Sequence, residues 1–238
     1  MSMTHLKMFF VSTSFVSFII FYSFLNLLTG NLFFGKIPYL YNLNLANFFF
    51  IQASYPPTGK ALKFAHYQLG RTYFIKGQLQ GAIEEINKEV ALYPENIRAQ
   101  YMLGLTYGYM NKEEKAIEAF AKFIEWKPES WAARNDKAWL EFRIGDIDAA
   151  LETITPVTHL TDNAWVQNTY GVMLMNKKKY KEAKVAFDYA KVAADKLTEK
   201  EWGKVYPGND PRVYGQGLRA AKKSIESNLR LVEEKMAN

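Results

Sequence analysis

Residues 61–94 read ALKFAHYQLGRTYFIKGQLQGAIEEINKEVALYP, and residues 95–128 read ENIRAQYMLGLTYGYMNKEEKAIEAFAKFIEWKP. The two stretches share Leu-Gly at their ninth and tenth positions, a tyrosine at the thirteenth, an alanine at the twenty-second and a terminal proline. A period of 34 residues, with small residues and helix stops at fixed places, is typical of stacked helix pairs. The sequence therefore predicts two consecutive helical repeats over this region.

The repeat continues, less strictly, through residues 131–163 and 164–197. Small and large apolar residues recur there at the equivalent positions, namely Ala138, Gly145, Ala150 and Ile154, then Tyr170, Gly171, Ala183, Phe187 and Ala190. Turn residues separate the two helices of each unit at Gly77, Asn111, Gly145 and the lysine run 177–179. Helix stops and N-caps separate the units at 94–96, 128–130 and 161–163.

These residues resemble the tetratricopeptide repeat (TPR) family, whose pattern is a large apolar residue, Leu-Gly, an aromatic residue, Ala, an aromatic residue, Ala and Pro. The resemblance covers residues 63–197. It implies an all-α, right-handed α-solenoid of about four helix pairs, 63–96, 97–130, 131–163 and 164–197. The chain departs from the pattern at Glu89, Lys137, Asp162 and Asp195.

The region after the repeats predicts a cap for the solenoid. Residues 198–210 form a polar connection, and Asp210-Pro211 is a favourable helix start. Apolar residues then recur at spacings of three and four from Leu218 to Met236, with charged residues on the other face. This predicts an amphipathic C-terminal helix that covers the last repeat.

The N-terminal region predicts a membrane anchor. Residues 8–35 include no charged residue, and a helix over residues 8–30 would span about 34 Å, enough for a hydrocarbon layer of about 30 Å. A cleaved signal peptide is the alternative, but Leu28-Thr29-Gly30 is a poor cleavage site. Lys7 lies before the run and only Lys36 follows soon after it. This charge distribution favours a single-pass protein with its TPR domain on the exported side, with the cytoplasmic side as the alternative.

A second uncharged stretch, residues 37–55, contains Asn42, Asn44, Asn47 and Gln52, whose amides disfavour a membrane span. We interpret residues 31–59 as an apolar linker or a helix that lies on the membrane surface or docks on the folded domain. A hairpin of two membrane spans is the alternative, and it would reverse the side of everything downstream.

Composition excludes several classes of chemistry. The chain has no cysteine and three histidines, which excludes disulfides, thiolate metal sites and histidine-rich metal sites. The net charge of +6 suits an anionic membrane surface or an acidic peptide better than a nucleic acid. Residues 30–36 match the spacing of a phosphate loop, but Ile37 replaces the magnesium-binding hydroxyl residue. The glycines at 215 and 217 match a dinucleotide fingerprint, but no βαβ unit surrounds them.

No residue pattern predicts an enzyme, a cofactor, a metal site or a small-molecule substrate. His66 lies at a packing position of repeat one and is expected to be a satisfied core histidine. Glu84-Glu85 and Glu113-Glu114 are expected in the first turns of second helices, where negative charge favours the helix dipole.

The resemblance also implies a binding surface. In TPR domains the first helix of each pair lines a concave groove through its second, fifth, ninth and twelfth or thirteenth residues. The groove residues implied here are Phe64, Tyr67, Arg71 and Phe74 in repeat one; Arg98, Tyr101, Leu105 and Tyr109 in repeat two; Asn135, Trp139, Phe142 and Arg143 in repeat three; and Trp165, Asn168, Val172 and Met175 in repeat four.

This set is aromatic with scattered arginine and no acid, which suits a peptide or helix with apolar anchors and some negative charge. The Lys and Asn set that grips chaperone tails is absent, so that activity is not implied. Two functions follow as expectations. The first is a membrane-tethered scaffold or adaptor that binds a protein partner in the groove. The second is a structural subunit or assembly factor whose groove is constitutively filled, with the chain's own segment 38–55 as one possible occupant.

Overall fold

The computed structural model describes residues 43–57, 59, 61–205 and 214–237. This part of the chain contains helices and no strand, which confirms the all-α prediction. The helices are α1 (Leu43–Ser54), α2 (Ala65–Ile75), α3 (Leu79–Leu92), α4 (Ile97–Tyr109), α5 (Glu113–Trp126), α6 (Trp131–Arg143), α7 (Ile147–Ile154) with a 3₁₀ turn (Thr155–Val157), α8 (Ala164–Asn176), α9 (Tyr180–Asp195), α10 (Glu199–Val205) and α11 (Tyr214–Ala237). The chain divides into two compact units, residues 1–99 and 100–238.

Several sequence-based predictions lie outside the described residues. They concern the anchor at 8–30, the first part of the linker, and the helix start at Asp210-Pro211. Within the described ranges, no helix combines the length and the apolar character needed to cross a bilayer.

The first unit is built on the pair α2 and α3, which approach each other at Gly70. A Cβ atom at Gly70 would lie 2.5 Å from Ile86 Cγ1 on α3. Leu69, Ala82 and Ile86 are fully buried around this point. The Leu-Gly and Ala positions of the repeat are therefore the places where two helix backbones come close enough to exclude larger side chains.

Helix α1 packs against α2 and is fixed at its C-terminal end. The backbone N–H of Leu62 donates to the Ala53 carbonyl (3.0 Å). The Tyr55 hydroxyl donates to Glu85 Oε1 on α3 (2.6 Å), and the Tyr55 ring meets the His66 ring edge-on with centroids 5.3 Å apart. His66 Nδ1 lies 2.7 Å from Glu85 Oε2, which confirms that His66 is a satisfied core histidine. Residues 43–54 thus dock on repeat one.

Glu89 explains a departure from the repeat pattern. Its carboxylate is fully buried, and it accepts hydrogen bonds from the backbone N–H of Phe64 (2.9 Å) and of Tyr67 (3.3 Å) and from the Asn96 side-chain amide (3.0 Å). Phe64 precedes α2 with a left-handed backbone (φ +68°) and has no side chain that could cap the helix. The acid on α3 therefore caps α2 from a neighbouring helix and replaces the usual small residue.

The second unit repeats the same close approach. A Cβ atom at Gly104 would lie 2.7 Å from the Phe120 ring, and one at Gly171 would lie 2.6 Å from the Phe187 ring. The third helix pair has Ala138 where its neighbours have glycine, and this alanine is fully buried. In the second and fourth helix pairs, the small position of the first helix therefore lies against an aromatic ring of the second helix.

The turns inside the helix pairs share one backbone conformation. Gly77, Asn111, Gly145 and Lys178 have φ of +74°, +52°, +90° and +60°. Successive members of this set lie 34, 34 and 33 residues apart along the chain. The left-handed residue is thus a fixed part of the repeat, and glycine occupies it in only two of four cases although glycine bears the smallest cost there.

Helix starts agree with the predicted N-caps in the second unit. The Ser130 hydroxyl accepts from Ala133 N (3.4 Å), and the Asn163 side chain accepts from Val166 N (3.1 Å). Asp146 caps α7 in the same way.

One prediction about helix charges was wrong. Helix α3 begins at Leu79, so Glu84 and Glu85 lie in its second turn, and Glu85 serves the polar cluster with Tyr55 instead. Glu113 and Glu114 do lie in the first turn of α5, as expected.

The C-terminal segment contains a helix where the sequence predicted only a polar connection. Thr198 and Glu201 form a reciprocal capping box at the start of α10: Thr198 N donates to Glu201 Oε2 (2.8 Å), and Glu201 N donates to Thr198 Oγ1 (3.2 Å). Helix α11 then packs on α9 and buries Leu218, Ile225 and Val232. Its apolar face covers the last repeat, as a solenoid cap requires.

Candidate protein-binding groove

The candidate site is the row of first helices in the second unit, α4, α6 and α8, at the groove positions that the TPR pattern implies. We call the members from repeats two and three the central groove; they are Tyr101, Leu105, Tyr109, Asn135, Trp139, Phe142 and Arg143. The predicted residue Arg98 is exposed and belongs to the first unit.

Tyr101 forms the floor of the central groove. It is buried, and its ring packs on Phe120 and Phe123 of α5 with centroid distances of 5.4 and 5.2 Å. Its hydroxyl donates to Asp136 Oδ2 on α6 (3.0 Å). Burial raises the pKa of the Asp136 carboxyl to about 8, and the hydrogen bond from Tyr101 opposes that rise. The pair therefore ties α4 to α6.

Trp139 and Tyr109 are the exposed aromatic residues of the central groove. Trp139 is 41% exposed and its ring packs on Phe142 with centroids 5.5 Å apart, and Tyr109 is 60% exposed. Leu105 and Asn135, which share the groove positions, are buried. The side chains of Trp139 and Tyr109 are therefore exposed to solvent, whereas those of Leu105 and Asn135 are not.

Arg143 ends the central groove and is already engaged. Its guanidinium lies 2.8 Å from Glu113 Oε1 and donates to Asn111 Oδ1 (3.1 Å). Asn111 lies in the loop before α5 and Glu113 in the first turn of α5, and both belong to the same unit as Arg143. The positive charge of Arg143 is therefore already paired with the negative charge of Glu113.

The repeat-four positions contact the C-terminal segment. The Trp165 ring stacks on Trp202 of α10, with centroids 4.0 Å apart and an interplanar angle of 23°, and it also lies 5.7 Å from the Trp131 ring. Asn168 Oδ1 accepts from the Asn228 amide of α11 (3.1 Å). Val172 and Met175 are half-buried against the cluster that includes Phe187 and Val232.

Repeat one, in the first unit, presents a separate set. Tyr67 is buried, Arg71 lies over its ring at 5.7 Å and donates to Gln68 (3.2 Å), and Phe64 and Phe74 are half-buried. The contacts of Tyr55 at the end of α1 go to His66, Glu85 and Lys88, none of which is a groove position.

Sequence reasoning missed several residues of this site. Asp136 and Glu113 were not among the implied groove residues, because the TPR pattern specifies positions and not the side chains that meet across helices. Trp202 was also missed. The signal that would have revealed its helix is the Thr-x-x-Glu capping box at 198–201, placed just before it. Among the residues that the structure describes, no group of His, Asp and Glu is suited to hold a metal ion.

Comparisons with known proteins agree with the repeat assignment. Residues 65–96 and 97–130 each match the tetratricopeptide repeat model, so these two segments are TPR repeats. No curated protein matches the chain.

Several solved structures share the fold. A structure of MamA from AMB-1 superposes with a TM-score of 0.57 at 19% identity and covers 66% of this chain and 85% of MamA. A second MamA structure gives 0.54 at 22% identity and covers 74% and 93%. YrrB, described as a TPR protein with an unusual peptide-binding site, gives 0.57 at 22% identity and covers 65% and 79%. These similarities confirm an all-helical, solenoid-like TPR fold.

Proposed function

We propose that this chain is a membrane-tethered, non-catalytic TPR scaffold that binds a segment of a protein partner along the central groove. The observation that carries the proposal is Trp139, a large aromatic residue that is 41% exposed at a groove position of a central repeat. Exposed tryptophans flanked by other aromatic residues are typical anchors of protein interfaces. The similarity to YrrB, whose description includes a peptide-binding site, supports the same role.

The side chains of the central groove favour a partner with apolar anchors. Trp139, Phe142 and Tyr109 offer flat apolar contacts, whereas Arg143 already has Glu113 as its counter-ion. An acidic group of the partner would have to compete with Glu113 for the guanidinium. Binding is therefore expected to depend on apolar anchors and only weakly on salt concentration.

Partner capture tests this function. The full-length chain is solubilised in detergent and its bound proteins are identified, and capture is then repeated with Trp139→Ala and with Trp139→Ala combined with Arg143→Ala. Loss of a tryptophan anchor is expected to cost roughly 2 kcal/mol, or about 30-fold in affinity. Trp126→Ala is the matched control, because Trp126 is 65% exposed at the end of a second helix, outside the groove. Equal capture by all variants would rule out the central groove.

Membrane tethering is proposed from residues 8–30, whose length and lack of charge suit an uncleaved span. The charge distribution favours a TPR domain on the exported side. Carbonate extraction of membranes with mass measurement of the mature chain tests the anchor, and protease protection tests the side. A soluble chain that begins after residue 28 would contradict the anchor.

The second candidate is a structural subunit or assembly factor whose groove is filled within its own complex. It is favoured by the repeat-four end of the groove, where Trp202 already covers Trp165. This candidate predicts a partner that co-purifies in fixed stoichiometry and stays bound on extensive dilution. A scaffold that exchanges its partners would lose them under the same conditions.

A further inference from the structure

Among the residues of α10 whose exposure the structure describes, 199–203, the buried ones are Trp202 and Gly203. Trp202 is 7% exposed and Gly203 is buried beside it, whereas residues 198–201 are exposed. The Trp202 ring lies between the Trp165 face and Gly217 of α11; a Cβ atom at Gly217 would lie 2.8 Å from Trp202 Nε1. One aromatic ring therefore supplies most of the described attachment.

The helix itself contributes little to this attachment. It has seven residues, and isolated helices of that length are unstable in water. Gly203 lies inside it, and a glycine in a helix interior costs about 1 kcal/mol relative to alanine. The capping box of Thr198 and Glu201 offsets part of that cost from exposed positions. Helix α11, in contrast, also buries Val232 in a cluster with Leu174, Ala183 and Phe187 that does not include Trp202.

We propose that the face of Trp165 is a binding surface for a short segment that carries an aromatic residue followed by a small one, and that α10 is its resident occupant. Trp165 occupies a groove position of repeat four, and the Trp202-Gly203 pair shows which side chains fit there. A flat indole stacks on Trp165, and the next residue, Gly203, is buried and has no side chain. A partner segment with the same pair would compete with α10 for this surface. The proposal rests on the proposed function and deepens it. It adds a binding surface at the repeat-four end of the groove, which the chain's own helix α10 occupies.

Competition in trans tests the proposal directly. The probe is a fluorescently labelled peptide of residues 197–206, LTEKEWGKVY, titrated with the full-length chain and followed by anisotropy. Trp202→Ala is expected to bind the probe at least tenfold more tightly than the wild-type chain, because its Trp165 face is uncovered. A probe with alanine in place of tryptophan should bind neither chain, and adding Trp165→Ala to Trp202→Ala should abolish binding.

Two further variants keep the test decisive if Trp202→Ala folds poorly. Thr198→Ala with Glu201→Ala removes the exposed capping box, leaves Trp202 in place, and should raise probe affinity roughly fivefold. Val232→Ala is the matched control, since it removes a buried side chain of α11 that packs with Leu174 and Phe187, in a cluster that does not include Trp202. It should bind the probe as weakly as wild type.

The outcomes separate this proposal from the proposed function. Equal probe binding by wild type and the α10 variants, or no binding by any folded variant, would overturn the proposal. Trp139→Ala with Arg143→Ala should leave probe binding unchanged, because neither residue contacts α10 in the described contacts. Failure of the central groove would instead appear as unchanged partner capture by that pair, a measurement that does not involve Trp202.

Discussion

Glu89 is a buried carboxylate whose three hydrogen-bond donors come from the start of α2 and from Asn96. A charged acceptor is well suited to this place, because the first N–H groups of a helix have no partner within the helix and carry partial positive charge. The side chain thus joins the two ends of repeat one, at positions where the repeat pattern alone would predict only close packing.

We predict that Glu89→Ala lowers the free energy of unfolding by about 3 kcal/mol, since it leaves buried donors without an acceptor. Glu89→Gln keeps an acceptor oxygen of similar size and should cost clearly less. Chemical denaturation followed by circular dichroism measures both. If alanine, the residue that fits the usual pattern, proved as stable as wild type, the capping role would be wrong.

Asp136 gives a stability effect that depends on pH. The pKa of its carboxyl is about 8 in the folded chain and 3.8 in its ordinary state, so the folded chain holds the proton between these values and the unfolded chain releases it. Its contribution to stability is therefore full below pH 3.8 and is lost as the pH rises toward 8.

We predict that Asp136→Asn, which still accepts from Tyr101 but cannot ionise, flattens this dependence. At pH 8 the variant should be more stable than wild type by at least about 1 kcal/mol, because each pKa unit corresponds to 1.36 kcal/mol. Melting temperatures between pH 4 and 8 test this. Parallel profiles for the two chains would show that Asp136 does not titrate in this range.

At the scale of elements, α1 is held by a polar cluster whose charge depends on pH. Burial raises the pKa of Glu85, but hydrogen bonds from His66, Lys88 and Tyr55 outweigh it and bring the pKa down to about 2. A depressed carboxyl pKa contributes stability that is present above about pH 4.5 and is lost as the pH falls toward 2. Acid should therefore release α1 from repeat one.

We predict that Glu85→Gln releases α1 already at neutral pH, seen as faster hydrogen exchange of the amides of residues 47–54. Glu84→Gln is the matched control, since Glu84 is the exposed neighbour on the same helix and bonds only to Gln80 in the described contacts. Similar exchange in both variants would mean that apolar packing, not this cluster, holds α1.

The turns between paired helices offer a second test at this scale. We predict that Lys178→Gly raises the free energy of unfolding by about 1 kcal/mol, because it removes the cost of a Cβ atom at φ +60°. Gly77→Ala is the reciprocal variant: its φ is +74° and an added Cβ atom would meet nothing within 4 Å, so the backbone cost alone should lower its stability. A destabilised Lys178→Gly variant would show that the lysine side chain contributes more than its backbone strain costs.

At the scale of the whole molecule, a helix pair of a solenoid buries its apolar faces against neighbouring pairs. A terminal pair lacks one neighbour and therefore needs a capping helix. In the second unit α11 supplies one by burying Leu218, Ile225 and Val232. We predict that deleting residues 211–238 exposes the apolar edge of repeat four, including Ala190 and Ala194, and causes self-association. Sedimentation of the truncated chain measures this. A truncated chain that remains monomeric and equally stable would show that α11 is not a cap.

The sequence by itself determined the repeat and its register. Gly70, Gly104 and Gly171 lie where helices touch, and Gly77, Asn111, Gly145 and Lys178 all lie at left-handed turns. These features were predictable because they are local: close approach needs a small residue, and a two-helix turn needs one residue with positive φ, at the same place in every unit.

Only the tertiary structure decided which groove positions are accessible and what they contact. Tyr101 and Trp139 are both aromatic residues on first helices, yet one is buried on Phe120 and bonded to Asp136 while the other is 41% exposed. Trp165 met Trp202, a residue 37 positions away along the chain. The physical reason is that a repeat pattern fixes the face on which a side chain lies, whereas its burial depends on the neighbouring element that covers that face.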